Sequence, residues 1–134
     1  MFQIQKLIAS LEKQTLPLNM FETIISDDGS TDGTAEYLGN YKGALKLKSV
    51  IPTAKGSRAK ARNSGLTIAT GTHILFLDGD LEVHHNLVET HFNAHKKDRN
   101  AVYIGKVEPC SSQRNDILNW YRVSRGGQKI EPGK

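Results

Sequence analysis

Apolar and polar residues are ordered along the chain so that helical and strand patterns follow one another. Phe2, Leu7, Ile8 and Leu11 share one helical stripe, and Leu16-Pro17 marks the end of that helix. Four more stretches have helical patterns, of which the first is expected to be capped by Ser30 or Thr31. These predicted helices lie at about residues 32–38, 57–69, 86–97 and 117–123.

Short strand-like runs lie between the predicted helices. They are found at residues 21–26, 45–51, 73–77 and 101–107. Residues 73–77 form an apolar run that is typical of a strand covered on both faces. The alternation predicts an α/β fold, in which helices cover both faces of a mainly parallel sheet, and a single domain over residues 1–134.

Acidic residues follow two of the predicted strands. Asp78-Gly79-Asp80 comes directly after residues 73–77, and Asp27-Asp28 comes directly after residues 21–26. Ligands of such sheets bind at the carboxyl ends of the strands, and carboxylate oxygens are preferred by Mg²⁺ and Mn²⁺. The pattern therefore suggests one shared site for a divalent cation and a phosphorylated substrate.

Both acidic segments also have a simpler interpretation. Asp78-Gly79 is a strong hairpin-turn signal, and residues 81–83 would then form the return strand. The loop over residues 27–32 resembles an Asx turn before a helix, a role that we assign to Ser30, Thr31 and Asp32. Spacing alone does not separate the turn from the metal site at Asp78 and Asp80.

Composition narrows the classes of partner. The 134-residue chain has a formal net charge of +4, and its basic residues are dispersed. The densest basic group suits phosphate, whereas no aromatic–basic interleaving of a nucleic-acid module is present, so no nucleic-acid partner is expected. This group comprises Lys55, Arg58, Lys60 and Arg62.

Cysteine content and hydropathy suggest a compartment. Cys110 is the single cysteine, which rules out an intrachain disulfide and suggests a reducing compartment. There is no stretch of about 20 apolar residues and no apolar core of a signal peptide. The expectation is a cytoplasmic protein, with attachment to the inner face of a membrane left open.

Three histidines raise the question of a zinc site. His91 and His95 are four residues apart on a predicted helix, and His84 lies two turns earlier on the same face. The glutamate that metalloproteases place after the first histidine is absent. A solvated helix face is the favoured interpretation.

Three segments, taken in order, resemble the nucleotide-sugar-binding half of a family-2 glycosyltransferase with the GT-A fold. The resemblance extends over about residues 7–108. Each segment alone is a weak signal, but their order and spacing together are specific. They are Ile24-Ile25-Ser26-Asp27-Asp28-Gly29-Ser30-Thr31-Asp32-Gly33-Thr34, Ala61-Arg62-Asn63-Ser64-Gly65-Leu66-Thr67-Ile68-Ala69-Thr70-Gly71 and Ile74-Leu75-Phe76-Leu77-Asp78-Gly79-Asp80.

The resemblance implies roles for five residues. Asp28, with Asp27 beside it, would hold the base and ribose of a uridine or similar nucleotide. Arg62 would be the basic residue near the nucleotide. Asp78 would face the ribose or a metal-bound water, and Asp80 would bind Mn²⁺ or Mg²⁺ on the diphosphate. The implied reaction transfers a sugar from a nucleotide donor, with UDP-sugar expected, to a sugar, polysaccharide or lipid-linked acceptor, with inversion.

The chain departs from the family pattern at both ends. Family members open with an apolar strand and a Pro-Thr-Tyr-Asn-like loop, whereas this chain starts inside the following helix. It also ends before the acceptor-binding half, so no general base is assigned and a partial domain is expected. The absent strand would lie between residues 21–26 and 73–77, which must then pair directly or border a vacancy.

An unpaired strand edge recruits other chains, so a homodimer through that edge is a further expectation. The alternative function is a non-catalytic nucleotide-binding or assembly module derived from the same fold. A nucleotidyltransferase is disfavoured, because no Gly-rich phosphate loop with a following Arg or Lys lies near the start.

Overall fold

The computed structural model describes residues 1–52, 57–98 and 101–108, together with the backbone of residues 129–130. It divides into two compact units, Met1–Thr90 and His91–Lys134. Within the described residues, no helix has the length and apolar character needed to cross a membrane. The predicted helix at 117–123, Lys55 and Cys110 lie outside the described residues.

The order of elements confirms the α/β class. Four α-helices and one 3₁₀ turn alternate with short strands in the described residues. The helices are α1 (Phe2–Leu11), α2 (Thr34–Gly39), α3 (Arg58–Ile68) and α4 (Leu87–Lys97), and the 3₁₀ turn is Leu18–Met20. The strands are β1 (Thr23–Ser26), β2 (Leu47–Val50), β3 (Val102–Tyr103) and β4 (Lys129–Ile130).

The core of the first unit is built on α1. The predicted stripe is confirmed at Leu7, Ile8 and Leu11, which are buried against Leu38 of α2 and Leu45 before β2. Ile8 is the largest fully buried side chain of the described residues, whereas Phe2 at the start of the stripe is exposed. Burial of this stripe holds α1 on the rest of the unit, because packing contributes more to a helix of this length than propensity does.

β1 and β2 pair in parallel, as predicted. Thr23 lies opposite Leu47 and Ser26 lies opposite Val50. The amide of Thr23 donates to Lys46, and the amide of Asp27 donates to Val50. Because successive amides of a strand point in opposite directions, those of Ile24 and Ser26 face the other edge of β1. They donate to no backbone carbonyl of the described residues.

Residues 73–77 do not form the predicted strand. They have no ladder with β1 or with any other described segment, and Ile74 and Phe76 are 44% and 51% exposed. A strand exists only through a hydrogen-bonded neighbour, and no described segment forms a ladder with these residues. Direct pairing of residues 73–77 with β1, one of the two arrangements expected from the sequence, is therefore not present among the described residues.

Three smaller predictions also need correction. Helix α2 is not capped by Ser30 or Thr31, because Gly33 occupies the cap with a φ of 87° and the Asp32 carboxylate accepts from the Thr34 amide. No return strand follows Asp78-Gly79, since residues 81–84 are irregular. The strand predicted at 101–107 is reduced to β3, for which β4 is the antiparallel partner.

Part of the second unit is formed by the end of α4 and by β3. The His95 ring contacts the Tyr103 ring edge-on, with centroids 5.0 Å apart. Burial, followed by the charge of His95, lowers the pKa of His91. No group of three or more potential His, Cys, Asp or Glu ligands occurs among the described residues, so nothing in them adds to the zinc hypothesis.

Glu22 joins three segments of the first unit at the start of β1. Its carboxylate accepts from Lys48 Nζ at 2.8 Å, from the Thr70 amide at 2.6 Å and from the Gly71 amide at 3.2 Å. These contacts, led by the hydrogen bond from Lys48, lower the pKa of Glu22 from 4.5 to about 2. The side chain therefore stays ionised and ties β1 to β2 and to the segment after α3.

Glu22→Gln is expected to make the chain less stable at neutral pH and to flatten its acid denaturation. A carboxylate whose folded-state pKa is lowered contributes stability above its unfolded-state pKa. That contribution is lost as the pH falls from about 4.5 to about 2. Urea denaturation midpoints across this pH range measure the effect, and Glu36→Gln, at an exposed carboxylate of α2, is the matched control. Parallel pH profiles of the native chain and Glu22→Gln would contradict it.

Candidate functional site

The loop after β1 holds the first two acidic residues. Asp27 is buried, with 6% exposure, and its Oδ1 accepts from the Ser30 amide at 2.8 Å. Gly29 reverses the chain with a φ of 92°, a conformation that other residues rarely adopt. Asp28 is half-buried between them. Ser30 thus contributes to the loop through its backbone amide, with Asp27 as the side chain that accepts.

The second acidic segment is a tight turn. The Leu81 amide donates to the Asp78 carbonyl at 3.3 Å, which closes a turn over Asp78-Gly79-Asp80-Leu81. Asp78 and Asp80 are both exposed in this turn. Ile4 of α1 lies beside Gly79, where a Cβ would come within 3.7 Å of its Cδ1. The turn therefore rests on α1 while its two carboxylates face outward.

Arg62 and Asp78 are joined directly. Arg62 Nη2 lies 2.9 Å from Asp78 Oδ1, and the two side chains are 45% and 66% exposed. A pair this exposed contributes little to folding, on the order of 0–1 kcal/mol. Its significance is chemical, because it places a guanidinium, which binds phosphate well, beside a carboxylate that can bind a cation.

Helix α3 brings the two acidic segments to the same end of the unit. It packs on β1 where Gly65 meets Ile24, and the residues after its C-terminus meet Glu22. α3 therefore runs antiparallel to β1. The first half of α3, which carries Arg62, lies toward the carboxyl end of β1. The Asp27-Asp28 loop and the Arg62–Asp78 pair thus lie at the carboxyl end of β1, where ligands of α/β sheets bind.

The residues of the second turn fit a divalent cation only in part. Mg²⁺ and similar ions bind through one or two carboxylates and complete their shell with water and substrate phosphates. Asp78 and Asp80 supply two such carboxylates two residues apart, and no third ligand is clustered with them in the described residues. These two carboxylates suit a cation that binds together with a diphosphate. Asp80 is the one of the two that is not paired with Arg62.

Sequence reasoning missed the Glu22 contacts and the direct Arg62–Asp78 pair. Glu22 lies 48 residues from Thr70, and Arg62 lies 16 residues from Asp78. Neither separation gives a periodic signal, because both contacts arise from tertiary packing. The proximity of Arg62 to the turn was expected only from the resemblance.

Comparisons with known proteins identify the family. The family model described as glycosyl transferase family 2 matches residues 3–131. Poly(ribitol-phosphate) beta-N-acetylglucosaminyltransferase TarS of Staphylococcus aureus is 41% identical over 78 residues, which are 58% of this chain and 14% of that protein. Validoxylamine A glucosyltransferase of Streptomyces hygroscopicus is 38% identical over 76 residues, or 56% of this chain and 18% of that protein.

Solved structures agree with the sequence comparisons. The crystal structure of S. aureus TarS residues 1–349 in complex with UDP-GlcNAc superposes with a TM-score of 0.72 at 28% identity. The match covers 82% of this chain and 32% of that one, so the chain spans about a third of the solved structure and less of the full-length relatives. Since the family model covers nearly its whole length, the chain belongs to glycosyl transferase family 2.

Proposed function

We propose that the first unit is the donor-binding part of a glycosyltransferase that uses a nucleotide-diphosphosugar, with a UDP-sugar as the preferred donor. The observation that carries the proposal is the Arg62–Asp78 pair at the carboxyl end of β1, facing the same end as the Asp27-Asp28 loop. The solved relative in complex with UDP-GlcNAc supports the choice of nucleotide.

The carboxylates would each contact a different part of the nucleotide. A carboxylate only accepts hydrogen bonds, so Asp28 suits a uracil imide N–H or ribose hydroxyls. Asp27 is already fixed by the Ser30 amide and shapes the loop that presents Asp28. The exposed carboxylate of Asp78 lies close enough to Arg62 for both to contact one ligand. Asp78 would then face the ribose or a metal-bound water, and Arg62 would face the diphosphate.

Asp80, with Asp78, would hold Mn²⁺ or Mg²⁺ on the diphosphate. The bound cation would offset the negative charge that builds on the departing diphosphate. The acceptor hydroxyl would displace that diphosphate at the anomeric carbon with inversion, its proton passing to a carboxylate base. None of the described residues is assigned as this base.

Thermal denaturation with added nucleotides tests the proposal. A ligand that binds only the folded chain raises the melting temperature of the chain, and the increase grows with the ratio of the ligand concentration to its Kd. With Mn²⁺ present, UDP is expected to raise the melting temperature more than UMP, which lacks the β-phosphate. Equal shifts from UDP and UMP, or no shift from either, would contradict a diphosphate-binding site.

Arg62→Gln is expected to weaken UDP binding about tenfold and to leave folding stability within about 0.5 kcal/mol. A charge-assisted hydrogen bond to phosphate is worth about 1.5–3 kcal/mol, whereas the exposed ion pair contributes little to folding. Calorimetric titration gives the affinity and urea denaturation gives the stability. Arg58→Gln, at an exposed arginine one turn earlier on α3, is the matched control. An equal loss of UDP affinity in both variants would indicate a general charge effect.

A non-catalytic nucleotide-binding module is the second candidate. The exposed apolar side chains of Ile74 and Phe76, which suit contact with another protein, are the observation that favours it. Release of UDP from a UDP-sugar in the presence of acceptor separates the two. Binding without turnover would support the module, and metal-dependent turnover would support the enzyme.

A further inference from the structure

Residues 82–86 join the acidic turn that carries Asp80 to the start of α4, and we call them the connecting segment. They belong to no helix or strand, so the regular hydrogen bonds of such elements do not fix their position. Contacts with the end of α1 and the residues after it hold them instead, among them a bond from the Thr15 amide to the His85 carbonyl at 2.8 Å. Because Asp80 lies two residues before the connecting segment, its placement depends on these contacts.

Ser10 of α1 holds the first part of the connecting segment. Its Oγ accepts from the Val83 amide at 3.1 Å and donates to the backbone of its own helix at 2.8 Å. On the other side of the acidic turn, Arg62 holds Asp78. Ser10 therefore restrains the side of the turn that Arg62 does not reach, which is the side of Asp80.

Gln14 holds the rest of the connecting segment with both ends of its side-chain amide. Its Nε2 donates to the Ser10 carbonyl at 3.2 Å and to the His84 carbonyl at 2.8 Å. Its Oε1 accepts at 2.9 Å from the amide of Val88, one of the first amides of α4, which have no partner within the helix. Gln14 is 9% exposed, so these backbone groups would lose their partner if its amide were removed.

We propose that Gln14 is a positioning residue for the cation, and that it sets the placement of Asp80 through the connecting segment. The inference rests on the proposed function, which assigns Asp80 to the cation. Since the amide of Gln14 is buried and bonded to the backbone at three points, it acts on the segment and not on a ligand. Groups that only orient metal ligands typically change metal affinity by about 10–100-fold.

Gln14→Met tests the proposal, because methionine is of similar length but cannot donate to the carbonyls of Ser10 and His84. UDP is titrated calorimetrically in Mn²⁺ and again with the metal chelated, at a temperature where circular dichroism shows each chain folded. The affinity in Mn²⁺ is expected to fall about tenfold. Without metal it is expected to change by less than about twofold, because the Asp27-Asp28 loop is held by a contact of its own.

Tyr41→Phe is the matched control for the loss of a hydrogen-bonding group in the first unit. The Tyr41 hydroxyl donates to Glu12 and accepts from the Leu45 amide, both outside the connecting segment. This control is expected to leave both UDP affinities within about twofold of the native values. Ser10→Ala removes only the acceptor of the Val83 amide and is expected to weaken binding in Mn²⁺ alone, so it decides the question if Gln14→Met does not fold.

The outcomes separate this inference from the proposed function. If the native chain binds UDP more tightly in Mn²⁺ and the Gln14 and Ser10 variants bind it like Tyr41→Phe, the donor site stands and the positioning role of Gln14 is overturned. Equal losses with and without Mn²⁺ would also overturn that role, because they indicate a general loosening of the unit. A native chain whose UDP affinity is the same in both conditions would contradict the assignment of the cation to Asp80, and the inference with it.

Discussion

Asp80→Asn is expected to lower the Mn²⁺-dependent affinity for UDP by about 100-fold. Removal of groups that merely orient metal ligands already costs about 10–100-fold, and Asp80 would be a direct ligand. Asp80 is exposed in the turn after residues 73–77, so its replacement should leave the melting temperature of the free chain unchanged. Calorimetric titration of UDP in Mn²⁺ measures the affinity of both chains.

The matched control for this variant is Glu82→Gln. Glu82 is an exposed carboxylate two residues beyond Asp80, outside the turn that Leu81 closes. The control substitution removes the same charge from the same segment and is expected to leave UDP affinity within about twofold, as screened surface charges do. If Glu82→Gln lost as much affinity as Asp80→Asn, the overall negative charge of the segment would account for cation binding, and the assignment of Asp80 would be wrong.

Ile8→Ala is expected to destabilise the chain by about 2–5 kcal/mol, the cost of an Ile-to-Ala cavity in a packed core. Ile8 is 2% exposed, and it belongs to the cluster that joins α1 to Leu38 and Leu45. A loss of this size approaches the total stability of many small domains, which is about 5–15 kcal/mol. Urea denaturation followed by circular dichroism measures it.

The same substitution at an exposed isoleucine provides the comparison. Ile51 follows β2 and is 62% exposed, so Ile51→Ala should change the free energy of unfolding by no more than about 0.5 kcal/mol. Similar losses at Ile8 and Ile51 would show that the α1 stripe is not the core of the first unit.

The sequence predicted helices more reliably than strands, and the reason is physical. Helices α1 and α3 were recognisable because the hydrogen bonds of a helix are local. The structure adds that Ser57 caps α3 by accepting from the Lys60 amide. Residues 73–77 have the composition of a buried strand but form none, since a strand also needs a neighbour. β1 and β2 were predicted successfully because each is the other's neighbour.

The candidate site was predictable to a similar extent. The sequence identified both acidic segments and predicted that they share one end of the sheet. In the structure, α3 brings them to the carboxyl end of β1. It did not reveal that Arg62 contacts Asp78, nor that Asp27 is the more buried of the two adjacent aspartates. Both features depend on side-chain directions in the packed unit, which residue spacing does not specify.

Titration of UDP into the purified chain, with Mn²⁺ and again with the metal chelated, tests the central claim most directly. A donor site built on Asp78 and Asp80 predicts saturable binding in Mn²⁺ that weakens at least about tenfold without the metal, because the cation links the carboxylates to the diphosphate. Equal affinity in both conditions, or no binding to a chain shown to be folded, would contradict it.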